Sequence, residues 1–242
     1  MTPPVCWWPS PNHGARRGPI DMVLLHYTGM ATTESACRWL CSPESKVSAH
    51  YLVDEAGAVT QMVHEIRRAW HAGVSTWAGE SDINSRSIGI EIHNLGPDSD
   101  APEYPAAQID AVIDLVRAIV ARRRIPRHRI LAHSDVAPGR KFDPGPYFPW
   151  ATLAGAGLGL WIDPPPPGGD NGLGPGDTGN QISKLQQKLA AFGYGLEATG
   201  DYDERTVSVV KSFQLHFRPK KTDGRADVST RGALDAILET CG

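Results

Sequence analysis

The chain lacks the features of a membrane-spanning or nucleic-acid-binding protein. Its 242 residues contain no apolar run of about 18 residues, so the sequence predicts no membrane-spanning helix. Acidic residues (27) outnumber basic ones (24), and the net charge of -3 argues against a nucleic-acid surface. The first residues show no basic region followed by an apolar core. We therefore expect a cytoplasmic protein, or a periplasmic one if an export segment has been removed.

Cysteine is scarce and irregularly spaced. The four cysteines, Cys6, Cys37, Cys41 and Cys241, form no CxxC pair and no regular disulfide framework. Cys37 and Cys41 are four residues apart on a predicted helix, which places them on one face of it. We interpret them as small buried side chains, with a disulfide between them as the alternative. The cysteines therefore do not assign a redox compartment.

Apolar periodicity predicts an α/β domain over residues 1–154. Predicted strands are Met22–Tyr27, Tyr51–Val53, Ala58–Val63, Ile88–Ile92 and the residues before His133, and predicted helices are Thr33–Leu40 and Ala106–Arg123. This mixture of elements indicates a mixed central sheet flanked by helices.

The composition changes after residue 154. Residues 155–175 are rich in proline and glycine, including the run Pro164–Pro167, and such a segment is typical of a linker because it cannot bury a core. Three amphipathic segments follow it. They predict a small all-α domain of three helices over residues 176–242.

Two of the predicted strands end in a histidine. His26 closes the apolar run MVLLH, and His133 closes RILAH. The following loop contains Pro138 and Gly139, and we expect it to return Asp143 toward the same point. Two imidazoles and a carboxylate form a zinc-type donor set. Three protein ligands leave one tetrahedral position for water, which is the arrangement of a catalytic zinc site.

Three motifs occur in a fixed order between residues 10 and 150: LLHYT, SIGIEIHN and AHSDVAPGRKFDPG. Together they resemble the zinc-dependent N-acetylmuramoyl-L-alanine amidases, in the branch that includes the peptidoglycan-recycling amidases of bacteria. The resemblance implies a zinc hydrolase acting on peptidoglycan or muropeptides in cell-wall turnover or recycling. The bond cleaved would join N-acetylmuramic acid, or its anhydro form, to the L-alanine of the stem peptide. His26, His133 and Asp143 match the family's two-histidine, one-aspartate ligand pattern.

The C-terminal segment carries a second resemblance. Residues 175–238, with the sequences GDTG, FQ and DG in order, resemble the peptidoglycan-binding domain attached to many cell-wall hydrolases. We expect this domain to raise the local substrate concentration by holding glycan or peptide at a second site. We expect the protein to be a monomer.

Glu91 is the predicted general base. In an extended strand Gly89 and Glu91 point away from the isoleucine face, and Gly89 would leave space for substrate or water beside the carboxylate. A glutamate at this motif position has that role in the resembling enzymes. The alternative is an exposed strand carboxylate in a salt bridge.

Lys141 is the predicted stabiliser of negative charge. It precedes Asp143 by two residues, so both side chains point the same way in an extended loop. An ammonium group there would stabilise the oxyanion that develops on the attacked carbonyl. The alternative is a solvated lysine.

Three further residues are assigned to substrate binding. His71 lies before a glycine-rich turn, in a segment that borders the substrate groove in the resembling family, with a structural role as the alternative. Trp77 is able to stack on a sugar or peptide group, with packing in the core as an equal alternative. Asn94 follows the Glu91 strand and is expected to line the cleft.

Two other classes of protein are weighed against the amidase. A non-catalytic peptidoglycan sensor on the same fold typically lacks a metal ligand, whereas all three positions are filled here. An unrelated metallopeptidase is disfavoured, because the chain has no HExxH helix. The sequence leaves open whether the substrate is polymeric wall or a soluble anhydro-muropeptide.

Overall fold

The computed structural model describes residues 5–99, 103–166, 169 and 171–241. Its elements, in chain order, are β1 (Val5–Trp7), β2 (His13–Ala15), β3 (Met22–Tyr27), α1 (Thr33–Leu40), β4 (Tyr51–Val53), β5 (Val59–Gln61), β6 (Arg67–Ala69), α2 (Ile83–Arg86), β7 (Ser87–Ile92), α3 (Ala106–Arg123), a 3₁₀ turn (Arg127–Arg129), β8 (Ile130–Ala132), α4 (His133–Val136), α5 (Trp150–Gly155), α6 (Asn180–Phe192), α7 (Glu204–Phe217) and α8 (Val228–Cys241). In these ranges, no helix combines the length and apolarity needed to cross a membrane.

Six strands form a mixed central sheet in the order β1-β5-β4-β7-β3-β8, and β2 pairs with β6 in a separate ribbon. β3 runs parallel to both β7 and β8, and β4 runs parallel to β7 but antiparallel to β5. Helices cover the sheet, and three more form the C-terminal domain. The predicted fold class, a mixed sheet flanked by helices plus a small all-α domain, is confirmed.

The register of the parallel strands positions the functional edge of the sheet. His26 on β3 lies opposite Glu91 on β7, and Leu25 lies opposite Ala132 on β8. The next residue after Ala132 is His133, so the carboxyl ends of three neighbouring strands bring these side chains to one edge. Open α/β sheets bind their ligands at this end of the strands.

The two faces of the sheet are covered by different parts of the chain. One face, which includes Val23 and Leu25, packs against the apolar stripe of α3. The other face, which includes Met22 and Leu24, belongs to a continuous core that extends into α6, α7 and α8. A parallel sheet is stable only when both faces are buried, so the C-terminal helices complete the core of the α/β domain.

Trp77 lies where the two domains meet. It is 1% exposed, and its ring packs edge-on against Phe192 and Tyr194 at centroid distances of 5.3 and 5.0 Å. A backbone hydrogen bond from Ala78 N to Gly193 O, at 2.7 Å, also joins the two domains here. The prediction that Trp77 binds substrate is therefore wrong: the C-terminal domain encloses its side chain.

The start of the proline-rich run and the segment that follows it are packed against the C-terminal helices. Ser229 Oγ donates a hydrogen bond to Pro165 O at 2.5 Å, and Leu173 forms a β-bridge with Ala226. The C-terminal domain is thus held against the α/β domain by a shared core. This differs from the expected arrangement of a second binding module on a linker.

The cysteines are free thiols. Cys37 lies on the buried face of α1, and burial raises its pKa to about 11. The interpretation as a small buried side chain holds for Cys37, whereas Cys41 is partly exposed.

Replacing Trp77 with alanine should lower the free energy of unfolding by about 3–5 kcal/mol, because truncation leaves a cavity between the domains. Denaturant unfolding of the parent and variant measures this difference. Trp39→Ala, on the half-exposed face of α1, is the control and should change stability by less than about 0.5 kcal/mol. Equal effects at the two positions would contradict the buried place of Trp77.

Candidate metal centre

Three side chains predicted as metal ligands converge at the edge where β3 and β8 end. His26 Nδ1 lies 2.9 Å from His133 Nδ1 and 3.0 Å from Asp143 Oδ2, and His133 Nδ1 lies 2.9 Å from the same oxygen. All three residues are buried. The structure therefore brings His26 together with two donors that lie 107 and 117 residues further along the chain.

His133 begins α4, a single helical turn in a segment that the sequence indicated as a loop. The turn forms because Asp135, its third residue, accepts a hydrogen bond from Ala132 N through Oδ2 at 2.8 Å. The chain then returns, and Ser134 N donates to Asp143 O at 3.0 Å. This bond fixes the aspartate beside the histidine.

The hydrogen bonds of His133 determine which of its nitrogens is free. Its Nε2 lies 3.1 Å from Ala72 O, which can only accept, so Nε2 carries the proton. In the neutral ring Nδ1 then carries a lone pair, and this is the atom that faces His26 and Asp143. Metal-binding histidines characteristically use their second nitrogen in this way.

A short chain of hydrogen bonds likewise determines which ring nitrogen of His26 carries the proton. Ser87 Oγ donates its only proton to Ile83 O at 2.6 Å. The Ser87 oxygen therefore acts as the acceptor for His71 Nε2, which lies 3.3 Å away. The Nδ1 atom of His71 then accepts from His26 Nε2 at 3.0 Å. The lone pair of His26 is therefore on Nδ1, which lies beside His133 Nδ1 and Asp143 Oδ2.

The electrostatics of the cluster suit a cation. Burial, followed by the neighbouring His133, lowers the pKa of His26 to about 4, so its ring is neutral at pH 7. Burial alone would raise the pKa of Asp143, but its contacts with His133 and His26 outweigh this and lower it. Two imidazoles and one carboxylate, whose Nδ1 and Oδ2 atoms meet at one point, fit a divalent metal of the zinc type.

Glu91 and Lys141 line the same cleft, which has a volume of about 450 Å³. Glu91 Oε2 is buried and has no hydrogen-bond partner in the part of the chain that the structure describes. Burial raises the pKa of Glu91 well above 4.5, Asp143 adds to the rise, and the positive charge of Lys141 partly opposes it. A carboxyl group able to hold or release a proton therefore faces the candidate metal site.

The space beside Glu91 is filled, contrary to the expectation for Gly89. A Cβ at position 89 would lie 2.5–2.7 Å from ring atoms of His71. The missing side chain of Gly89 accommodates the imidazole that orients His26, and leaves no room there for substrate.

The two other residues assigned to substrate have different surroundings. His71 lines the cleft, but its nitrogens are engaged with His26 and Ser87, so it orients a ligand. Asn94 Oδ1 accepts a hydrogen bond from Gly96 N at 2.8 Å. The structure thus places Asn94 in the turn after β7, and in the described chain it is not among the residues that line the cleft.

The sequence reasoning missed Arg140 and Trp39. Arg140 Nη2 donates to Ala72 O at 2.5 Å, the same carbonyl that fixes His133, and its Nε donates to Val74 O at 3.0 Å. Trp39 is half-exposed at the cleft, which Trp70 also lines. Arg140 lies within the ligand motif, which was its only signal in the sequence.

Gly89→Ala should weaken Zn²⁺ binding by about 10- to 100-fold, because a methyl group there displaces His71 and frees His26 to rotate. Competition with a chromophoric chelator measures the dissociation constant of the metal-depleted protein. The control is Gly155→Ala, whose Cβ would meet no atom within 4 Å. Unchanged affinity in a folded Gly89→Ala protein would contradict the chain of hydrogen bonds through His71.

Relatives with the same architecture span nearly the whole chain. The N-acetylmuramoyl-L-alanine amidase AmiD of Escherichia coli K12 is 36% identical over 239 residues, covering 92% of this chain and 84% of its own. A structure of AmiD from E. coli with the substrate anhydro-N-acetylmuramic acid-L-Ala-D-γ-Glu-L-Lys matches with a TM-score of 0.77 at 35% identity, covering 93% of this chain and 92% of that one. The structure of AmpDh3 from Pseudomonas aeruginosa with anhydromuramic pentapeptide matches with a TM-score of 0.74 at 33% identity, covering 92% of each chain.

The family comparison divides the chain in the same way. Residues 178–234 match the peptidoglycan-binding-domain family. Residues 16–146, which contain all three candidate ligands together with Glu91 and Lys141, match the family described as N-acetylmuramoyl-L-alanine amidase. The chain therefore belongs to the N-acetylmuramoyl-L-alanine amidase family and is an enzyme of that class.

Proposed function

We propose that the chain is a zinc-dependent hydrolase of the amide between N-acetylmuramic acid, or its anhydro form, and the L-alanine of the stem peptide. One water is consumed, the C–N bond breaks, and the products are the lactyl carboxylic acid and a free alanine amino group. The observation that carries the proposal is the convergence of His26, His133 and Asp143 beside the Glu91 carboxyl group. The anhydro-muramyl peptides in the AmiD and AmpDh3 complexes support this class of substrate.

The three converging side chains would hold the zinc ion. Bound zinc supplies Lewis acidity toward the amide carbonyl and makes water more acidic. The protein's contribution is preorganisation: Ala72 O and His71 fix both imidazoles in the ligating tautomer before any metal arrives.

Glu91 would move the proton. It takes one from the attacking water and returns it to the leaving nitrogen, which must be protonated before the amine departs. The buried position supports this role because burial raises the carboxyl pKa well above 4.5, which makes the carboxylate a stronger base. The salt-bridge alternative does not apply within the described residues, since Oε2 has no partner there.

Lys141 would stabilise the negative charge that develops on the attacked carbonyl oxygen. Its ammonium group is close enough to lower the pKa of both His26 and Glu91. It therefore acts on the part of the cleft where the reacting amide must lie.

Removing the metal should abolish cleavage, and adding Zn²⁺ back should restore it. Defined anhydro and non-anhydro muropeptides are incubated with parental, chelator-treated and zinc-restored protein, and products are identified by mass spectrometry. We expect free stem peptides that begin at L-alanine. Cleavage of another bond, or full activity in protein free of metal, would refute the proposal, and binding without cleavage would indicate a sensor.

Glu91→Gln should lower kcat by about 10²- to 10⁴-fold while zinc content stays unchanged, because the amide cannot accept the proton from water. Steady-state kinetics and elemental analysis of the same preparation provide the two readouts. Glu239→Gln, on the exposed surface of α8, is the matched control and should keep parental kinetics. A zinc-loaded Glu91→Gln enzyme of parental rate would remove Glu91 from the mechanism.

A further inference from the structure

Asp135 connects the two domains beside the candidate metal site. It lies on α4, two residues after His133, and is completely buried. Its Oδ1 accepts a hydrogen bond from Tyr194 Oη at 2.8 Å, and its Oδ2 accepts from His216 Nδ1 at 2.7 Å and from Ala132 N at 2.8 Å. Two of these three donors therefore belong to the C-terminal domain.

The rest of the ligand-bearing segment also lies against that domain. Arg205 on α7 donates from Nη1 to Pro138 O at 3.3 Å. Gly139 approaches Ser208 so closely that a Cβ there would lie 2.8 Å from the serine oxygen. From the other side, Thr76 N donates to Val136 O at 2.8 Å. The segment between His133 and Asp143 is thus held between the α/β domain and α7.

The two C-terminal donors are themselves held in place. The ring of His216 stacks on Trp150 at a centroid distance of 3.7 Å and an interplanar angle of 24°. Tyr194 packs against Trp77. Burial, followed by the adjacent Asp135, raises the pKa of Tyr194 well above 10, so its hydroxyl stays protonated and donates.

We infer that the C-terminal domain positions the metal ligand His133, with Tyr194 and His216 holding Asp135 and Asp135 holding the helical turn that begins at the ligand. The inference rests on the proposed function, because it takes His133 as a metal ligand. It assigns to this domain a role beyond the wall binding suggested by its family match. Tyr194 and His216 are positioning residues, since neither lines the cleft wall around the three ligands in the described chain.

The physical reason is the cost of a buried carboxylate without its donors. Asp135 is completely buried, so loss of one donor leaves a carboxylate oxygen unpaired and favours a shift of α4. A metal site tolerates displacements of only about 0.5 Å before its geometry suffers. Substitutions that disturb such supporting contacts typically weaken metal binding about 10- to 100-fold.

The test compares full-length variants by metal affinity and by spectroscopy. The double variant Tyr194→Phe/His216→Leu removes both donors while keeping much of their apolar bulk. We expect its dissociation constant for Zn²⁺ to rise at least about tenfold. We also expect the visible absorption bands of the Co²⁺-substituted protein to shift, measured well below the melting temperature. Tyr194→Phe/His216→Asn restores a donor near the position of Nδ1 and should recover part of the affinity.

Ile237→Ala is the matched control. Ile237 is completely buried in α8, so its truncation destabilises the same domain without removing a donor to Asp135. We expect it to lower the melting temperature but to leave the Zn²⁺ affinity and the Co²⁺ spectrum at parental values. If the double variant does not fold, Tyr194→Phe alone, which removes a single hydroxyl, provides the same comparison. We then expect smaller changes in the Zn²⁺ dissociation constant and in the Co²⁺ absorption bands.

Two results would overturn the inference. One is a folded donor variant with parental Zn²⁺ affinity and an unshifted Co²⁺ spectrum. The other is an equal effect in Ile237→Ala, which would mean that general destabilisation is the cause. Both differ from failure of the proposed function, in which the parental protein itself would bind no metal or cleave muropeptides without it.

Discussion

The pairing of β3 with β8 is the constraint on which the site depends. Because Leu25 lies opposite Ala132, the residues that follow them in the chain, His26 and His133, come to the same edge of the sheet. A shift of one residue would turn either side chain to the other face. The Ala72 carbonyl and His71 then select the tautomers, so that both lone pairs meet at the Asp143 carboxylate. The reactivity of the cleft follows from this backbone register.

The same sheet explains why the C-terminal domain is part of the amidase unit. α3 covers one face, and the core on the other face continues into α6–α8. The contact at Trp77 and the hydrogen bonds to Asp135 lie on this second side, close to His133. The domain that resembles a wall-binding module therefore also closes the core beneath the catalytic edge.

Local pattern and chemistry were enough for much of the fold. Met22–Tyr27, Thr33–Leu40 and Ala106–Arg123 have the predicted bounds, because apolar periodicity and flanking signals act within a few residues. The three donors could be predicted because His26 and His133 end apolar runs and Asp143 lies in the motif that contains His133. The roles of Gly89 and Trp77 depend on packing between segments far apart in the chain. No local pattern reports such contacts.

X-ray absorption at the zinc edge, on active full-length protein with its metal content determined, would show whether His26, His133 and Asp143 hold a zinc ion. We expect one zinc per chain with only nitrogen and oxygen neighbours, at about 2.0–2.1 Å, including the outer-shell signature of imidazole rings. Active protein without zinc, or a zinc whose nearest neighbours include sulfur, would contradict this expectation.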